Sequence, residues 1–203
     1  DSTTANAGTV YVYRLKNDTF YEHEKITPNL IDDVRFGTGL AISENGTDLM
    51  IGAPRFTGTL GDQGAVYHYI AKSSTHVADG STTEFTAGFD IDHSYHVGVF
   101  VDNTDYHLVN GDSSTTPNFT TDGTSNIITF GVAPASGSSI TIQQYVLQDT
   151  ITAVKPETNA HFGNNLVIRN NTLLVQSKLG DAELITTFDS LSADGSTVLV
   201  ETT

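Results

Sequence analysis

The sequence predicts an all-β protein, and three observations carry that prediction. Apolar and polar residues alternate in runs of about five or six, which is the pattern of a half-buried strand. Turn dipeptides that contain glycine separate many of these runs, and Thr, Ser, Gly, Asn and Asp dominate the composition. Only two short segments, 22–27 and 150–154, favour a helix. We therefore expect a succession of β-hairpins.

The alternating runs follow one another along the chain. The clearest of them begin at Val10, Leu40, Leu49, Ala65, Val97, Asn126 and Ser139. The dipeptides between runs are Asn45-Gly46, Asp79-Gly80, Asn110-Gly111, Asp122-Gly123, Ser136-Gly137 and Asp194-Gly195. Because Asn, Asp and Gly tolerate a positive φ, an Asn-Gly or Asp-Gly pair between two short runs favours a tight hairpin.

Charge and composition exclude several classes of protein. The 203 residues include 9 Lys and Arg against 24 Asp and Glu, a net charge of −15, and no Cys. Tight nucleic-acid binding is not expected, because it needs clustered cationic side chains. No run approaches the roughly 18 apolar residues of a spanning helix, and there is no charged-then-apolar leader, so we expect neither membrane insertion nor an intact signal peptide. The chain does not begin with Met, which suits a processed or excised piece.

Internal repetition is the most informative feature of the sequence. Three segments align, at 36–54, 162–177 and 188–200, and each contains an aromatic residue, a small or acidic residue, and two alternating runs joined by a turn. A Gly-Ala-Val-Tyr sequence at 64–67 follows the first copy, and a similar sequence lies at 7–13. The residues that define the repeats are Phe36, Gly37, Gly52, Ala53, Pro54, Gly64, Tyr67, Phe162, Gly163 and Phe188.

These residues resemble the phenylalanine-glycine/glycine-alanine-proline repeat of the β-propeller in integrin α subunits and in many bacterial and viral surface proteins. The resemblance covers 7–72 and, more loosely, 157–203. It implies a partial β-propeller of about two to three blades, whereas complete propellers need about four to eight. The resemblance thus implies that a longer parent chain or other subunits complete the propeller.

The segment between the first and second copies is similar to the small β-sandwich module of tail fibres and other tail proteins in short-tailed phages. The resemblance rests on the order of its runs, with Val97-Gly98-Val99-Phe100-Val101-Asp102 in the middle and Ala133-Pro134-Ala135-Ser136-Gly137 before the last one. The two resemblances divide the chain into a blade segment at 1–72, an inserted sandwich at 73–148, and further blade segments at 149–203.

Calcium is the first candidate ligand, because some integrin-type blades hold it in a loop with acidic residues at alternating positions. The corresponding loop offers only Glu44 and Asp48, whose spacing suits a hairpin turn better than a cage of ligands. Asp189 and Asp194 are weaker candidates. The cluster of Asp and His residues at 90–96, with His107, is better explained as a solvated loop. We predict no cofactor, with calcium as the open alternative.

Enzymatic activity is not expected. The acid pairs Glu22/Glu24 and Asp32/Asp33 supply carboxylates of the kind that hydrolyse glycosides, but the sequence places no cleft between them. It has no Cys nucleophile, no Gly-x-Ser-x-Gly elbow and no glycine-rich phosphate loop. The tyrosine pairs at 11/13 and 67/69 share one face of a strand each, and we expect both pairs to pack between blades rather than to bind sugars or bases.

Together the two resemblances imply a structural protein of a phage tail, either a nozzle or a fibre-docking component, that acts in assembly, DNA passage and host attachment. Its partners would be other tail subunits or the remainder of a longer chain, and it would form a homo-oligomer in the virion. The first alternative is an extracellular adhesion or glycan-binding propeller stabilised by calcium. The second is a polysaccharide-degrading tailspike.

Overall fold

A computed structural model describes residues 7–16, 18–28, 33–91, 97–102, 104–108, 118–121, 126–169, 172–177, 190–191 and 198–199. Every regular secondary-structure element within these residues is a β-strand, which confirms the all-β prediction. The number of propeller blades and the inserted sandwich remain predictions. Among the described residues there is no helix with the length and apolar character needed to cross a lipid bilayer.

The strands are as follows in chain order: β1 (Val10–Lys16), β2 (Thr19–Ile26), β3 (Leu40–Ile42), β4 (Asp48–Ala53), β5 (Ala65–Val77), β6 (Glu84–Thr86), β7 (Gly98–Val101), β8 (Thr104–Leu108), β9 (Asn118–Thr120), β10 (Ile127–Phe130), β11 (Ser139–Ile151), β12 (Leu166–Arg169), β13 (Thr172–Val175), β14 (Ser190–Leu191) and β15 (Val198–Leu199).

The two segments that favoured a helix are not helical. Most of 22–27 belongs to β2, and 150–154 contains the end of β11 followed by irregular chain. Glu and Lys at 22–25 have moderate helix propensity, but β2 pairs with β1 and buries Glu24 and Ile26. Tertiary contacts therefore override a weak local preference.

The chain divides into two compact units. The first comprises Asp1–Val10, Thr27–Ile70 and Leu147–Thr203, and the second comprises Tyr11–Ile26 and Ala71–Val146. Two strands of 13 residues each, β5 and β11, continue from one unit into the other. The β1–β2 ribbon clusters with the second unit rather than with the rest of the predicted 1–72 segment.

Among the described residues, the first unit contains two antiparallel arrangements that pack together, besides the short antiparallel pair of β14 and β15. Strands β3, β4 and β5 are neighbours, with Leu40 opposite Ile51 and Met50 opposite His68. Strands β12 and β13 form a hairpin with Leu166 opposite Val175. A hydrophobic cluster of Met50, Val66 and Leu166 packs between them, with Ala41, Ile151, Phe162, Ile168, Leu173 and Val175 around it.

The second unit has its own hydrophobic core. Its described strands lie in the order β11, β7, β8, β9, β10, β6, in which β8 and β9 are parallel and the other neighbours are antiparallel. Its core includes the rings of Phe85, Phe119 and Phe130, and Phe85 and Phe130 meet edge to face at 5.7 Å between ring centroids. Alternate residues of three strands reach this core, as period-two patterning requires: Val99 and Val101 on β7, Ile128 and Phe130 on β10, and Ile140 and Ile142 on β11.

Candidate functional site

The contact between the two sequence repeats is the most specific arrangement in the first unit. The N–H of Phe162 donates to the carbonyl oxygen of Gln63 at 3.1 Å, and an isolated parallel bridge joins Phe162 to Gly64. The N–H of Gly163 donates to the carbonyl oxygen of Gln176, also at 3.1 Å. We call this set of contacts the second junction, because it holds the second Phe-Gly pair, Phe162 and Gly163, in place.

Glycines make the second junction possible. A Cβ atom on Gly52 or Gly64 would overlap the backbone of Phe162 or Gly163, and one on Gly39 would stand 2.5 Å from the Gly163 carbonyl oxygen. Gly163 has a φ of +93°, a conformation that residues with side chains rarely adopt. Backbone therefore meets backbone here, and no larger residue fits without displacement.

Equivalent contacts hold the first Phe-Gly pair, Phe36 and Gly37, and we call them the first junction. The N–H of Phe36 donates to the carbonyl oxygen of Ala7 at 2.9 Å, as that of Phe162 does to Gln63. A Cβ atom on Gly8 would overlap the Phe36 backbone. The φ values of Gly8 and Gly37 are +90° and +92°, close to the +82° and +93° of their counterparts in the second junction.

Hydrogen bonds within each repeat are also equivalent. In the first repeat the N–H of Gly37 donates to Gly52 at 2.9 Å, and that of Gly52 donates to Gly39 at 2.8 Å. In the second repeat Gly163 donates to Gln176, and Gln176 donates to Asn165 at 2.9 Å. Positions 36, 37, 39 and 52 thus correspond to 162, 163, 165 and 176.

Aromatic packing surrounds the first junction. The Phe36 ring lies edge-on to Tyr67 at 5.5 Å and to Tyr69 at 6.4 Å. Burial raises the pKa of Tyr67 to about 12. Tyr11 and Tyr13 behave differently, since 47% and 51% of their surfaces are exposed. Within the described residues the tyrosines of β1 are thus not buried as Tyr67 and Tyr69 are, and their packing between blades stays a prediction.

The Gly-Ala-Pro sequence ends β4. Ala53 is fully buried, and its carbonyl oxygen accepts the N–H of Phe56 at 3.0 Å, so the chain turns at Pro54. Of the ten residues that define the repeats, Phe188 lies outside the described residues. The other nine lie in or beside the two junctions.

An ion-pair cluster, which the sequence did not indicate, holds the loop that leads into the second junction. Arg55 contacts the carboxylates of Asp33 at 2.7 Å and Asp62 at 3.3 Å. His161 Nε2 lies 3.8 Å from the same Asp62 carboxylate, and the His161 N–H donates to the Asp62 carbonyl oxygen at 3.0 Å. Asp62, Asn159 and His161 all have a positive φ. These contacts fix the backbone just before Phe162.

The calcium candidates lie in the hairpin between β3 and β4. Asp48 Oδ2 accepts the Thr47 hydroxyl at 2.7 Å, and Asp48 Oδ1 pairs with His68 Nε2 at 2.9 Å. The Thr47 hydrogen bond first, and then that of His68, hold the pKa of Asp48 below its usual value. Asn45 Oδ1 accepts the hydroxyl of Ser43 at 2.8 Å, which closes the turn. Glu44 is exposed at its tip.

Within the described part of the chain, no three His, Cys, Asp or Glu side chains are placed to hold a metal ion. Asp189, Asp194, Asp32 and most of the 90–96 cluster, including His93 and His96, lie outside the described residues. Asp90 accepts a hydrogen bond from Asn126 Nδ2 at 3.0 Å, and the Ile91 N–H donates to Asn126 Oδ1 at 3.0 Å, so Asn126 holds the chain at both residues.

A second unpredicted arrangement lies on the β1–β2 ribbon in the second unit. Glu24 is 1% exposed, and its carboxylate accepts the N–H of Tyr145. The His23 ring lies against Gly98 and Phe100. The Arg14 guanidinium stands over the Phe100 ring, 4.8 Å from its centroid. Burial first, and then the Arg14 charge, lower the pKa of His23 to about 4.

Comparison of the chain with protein-family models, with curated proteins and with solved structures finds no match. The two junctions and the ribbon contacts are therefore interpreted from their own geometry.

Proposed function

We propose that this protein is a non-enzymatic structural component of a phage tail, a nozzle or fibre-docking element that acts in assembly, DNA passage and host attachment. The second junction is the observation that supports this function. Its contacts are made between backbones, and their purpose is to hold one β-repeat against another. Repeats that stack in this way build extended scaffolds, because each unit buries its faces only against its neighbours.

The strand edges of the first unit are suited to assembly. Among the described residues, β3 is the end strand of its sheet, and the side chains of Leu40 and Ile42 on it are about half exposed. An unpaired edge strand with apolar side chains favours pairing or packing with another chain. Other tail subunits, copies of this chain and the remainder of a longer chain are the proposed partners.

The charge of the chain suits a channel for DNA. With a net charge of −15, the surface repels phosphate, and passing DNA would not adhere to it. We propose the virion tail as the location on this basis and on the resemblance of the repeats. Tight binding to double-stranded DNA at ordinary salt would contradict the role in DNA passage.

Immunogold labelling of virions tests the proposal. Antibodies raised against the recombinant chain are applied to purified particles of the virus that encodes it, and the label is located by electron microscopy. We expect label on the tail of intact particles and none on particles incubated with pre-immune serum. Label that is absent from intact and detergent-opened particles alike would overturn the proposed function.

A further inference from the structure

The outer edge of β3, the side of the strand away from β4, is open among the described residues, because β3 is the end strand of its sheet. Leu40 and Ile42 on it are 52% and 53% exposed. Their side chains lie on the same face of the sheet as those of Leu49 and Ile51, since residues directly opposite each other point the same way. An open edge with apolar side chains is a surface on which another strand can pair.

The hydrogen bonds to β4 decide which backbone groups of β3 face outward. The N–H of Ser43 donates to the carbonyl oxygen of Asp48 at 2.9 Å. In an antiparallel pair such positions alternate, so Ala41 also bonds to β4, whereas the N–H and C=O groups of Leu40 and Ile42 point away from it. No other described strand or loop bonds to the backbone of these two residues. The outer edge therefore offers two donors and two acceptors.

This edge is complementary to itself. If two copies of β3 lie antiparallel with the two Ala41 residues opposite each other, Leu40 of each copy faces Ile42 of the other. Both positions point outward, so each of these pairs exchanges two hydrogen bonds and the pairing forms four. The same register gives two apolar cross-strand pairs of Leu40 with Ile42 on one face of the joined sheet. Every other antiparallel register within β3 pairs fewer of the outward groups.

The two ends of β3 carry opposite charges. Arg35 lies in the turn before the strand, where its carbonyl oxygen accepts the Thr38 N–H at 3.2 Å, and Glu44 lies in the turn after it. Both charged residues are exposed. Antiparallel pairing brings the Glu44 end of each copy to the Arg35 end of the other, with Glu44 opposite Thr38. The charges beside the edge are thus complementary between two copies, even though the whole chain has a net charge of −15.

We propose that the outer edge of β3 docks a second copy of this chain, in an antiparallel pairing about a two-fold axis at Ala41. Each copy uses the same edge, so the interface is closed and assembly through it stops at a dimer. The contact joins two sheets edge to edge through backbone hydrogen bonds. The inference deepens the proposed function in assembly, because it names the partner of β3, and it rests on that function for its biological setting.

Disulfide cross-linking of the full chain tests the register. The chain has no Cys, so Ala41→Cys introduces a single thiol. Directly opposite residues between two hydrogen-bonded pairs have Cα atoms about 4.5 Å apart, within the range of about 4.4 to 6.8 Å that a disulfide spans. Diamide serves as the oxidant that takes up the hydrogens of two thiols. Thr47→Cys is the control, because Thr47 is exposed on the same hairpin but lies away from the proposed axis.

We expect diamide to convert Ala41→Cys into a covalent dimer on a non-reducing gel, and to convert much less of Thr47→Cys at the same concentration. A folded Ala41→Cys variant that gives no dimer would overturn the inference. Equal cross-linking of the two variants would overturn it as well, since random collision would then explain both.

Sedimentation equilibrium tests the association without a cross-link, in enough salt to screen the repulsion between two acidic chains. The mass of the wild type should rise with concentration towards that of a dimer. Ile42→Lys should weaken the dimer about tenfold or more, because the substitution acts at two equivalent places. Val132→Lys adds the same charge at an exposed residue of the second unit and should leave the dimer unchanged. A wild type that stays monomeric up to millimolar concentration, or equal effects of the two variants, would contradict the pairing.

Thermal unfolding first establishes that each variant is folded. If Ile42→Lys does not fold, Leu40→Pro takes its place, because an edge strand tolerates proline where the N–H faces outward, and the substitution removes one of the donors that the pairing needs. The outcome is independent of the virion experiment. Tail labelling with a chain that stays monomeric contradicts only the pairing, and a dimer through β3 without tail labelling contradicts only the virion role.

Discussion

The carboxylate of Glu24 accepts the backbone N–H of Tyr145 through both of its oxygens, at 3.0 and 3.1 Å, although the two residues are 121 positions apart in sequence. A side chain of β2 thus accepts a backbone hydrogen bond for which a carbonyl oxygen of a neighbouring strand is the usual acceptor. A buried carboxylate is costly unless it is hydrogen-bonded, so this contact helps to decide whether the ribbon stays in place.

Glu24→Ala should therefore destabilise the protein substantially. It removes a buried acceptor from the Tyr145 N–H and leaves a void, for an expected loss of about 3 kcal/mol in the free energy of unfolding. Glu24→Gln keeps one acceptor oxygen and should cost about 1 kcal/mol. Urea denaturation followed by circular dichroism measures both. Equal losses for the two variants would show that the hydrogen bond contributes little.

Gly52→Ala tests the close approach in the second junction. The added methyl group would overlap the Gly163 carbonyl oxygen, and we expect a loss of about 3 kcal/mol or more in the free energy of unfolding. Gly61→Ala is the matched control, because a Cβ atom at Gly61 meets nothing within 4 Å. It should change stability by no more than about 1 kcal/mol. Similar losses for the two variants would contradict the steric argument.

The buried ring of His23 makes stability depend on pH. Its pKa is about 4 in the folded protein, against 6.5 for the ordinary group, so the unfolded chain binds a proton over a range where the folded protein does not. Stability from this residue is present above pH 6.5 and is lost as the pH falls towards 4, by at most about 3 kcal/mol.

Denaturation between pH 7 and pH 4 measures this loss, with His23→Gln as the comparison. The variant cannot titrate at this position, so its stability should fall less steeply between pH 6.5 and pH 4 than that of the wild type. Parallel profiles for the two proteins would mean that His23 is not the group responsible.

Calcium should not stabilise the β3–β4 hairpin. Both carboxylate oxygens of Asp48 already accept or share hydrogen bonds, with Thr47 and His68, and a calcium ion needs about six to eight oxygen ligands. We expect the same melting temperature in millimolar calcium and in chelator, for the wild type and for Glu44→Ala. A higher melting temperature in calcium that Glu44→Ala or Asp48→Asn removes would favour the adhesion-protein alternative.

The fold class could be predicted from the sequence because strand periodicity and turn residues are local properties. The alternation at Val66-Tyr67-His68-Tyr69 and the turn at Asn45-Gly46 indicate strands and a hairpin without knowledge of their partners. Glu24, by contrast, has a helix-favouring sequence around it, and its strand is fixed by a contact with Tyr145. Such a distant contact leaves no signal in one sequence.

The repeat residues could be aligned from the sequence, but their exposure could not. Tyr11 and Tyr67 have the same local pattern, yet Tyr11 is half exposed, whereas Tyr67 is buried and packs edge-on against Phe36. Leu40 and Leu166 differ in the same way. Local sequence sets which face of a strand a side chain occupies, whereas the neighbouring element decides whether that face is covered. The ion pairs of Arg55 likewise depend on loops that only the fold brings together.

The continuity of β5 and β11 through both units has a consequence for biosynthesis. Gly39, Gly52 and Gly64 are synthesised before the second unit is complete, but Phe162 and Gly163, which lie against them, follow only after the last residue of that unit. Domains fold as they emerge, and contacts distant in sequence form slowly. The second unit is therefore complete in sequence before the second junction can close, and the three glycines remain without this contact until residues 162 and 163 have been synthesised.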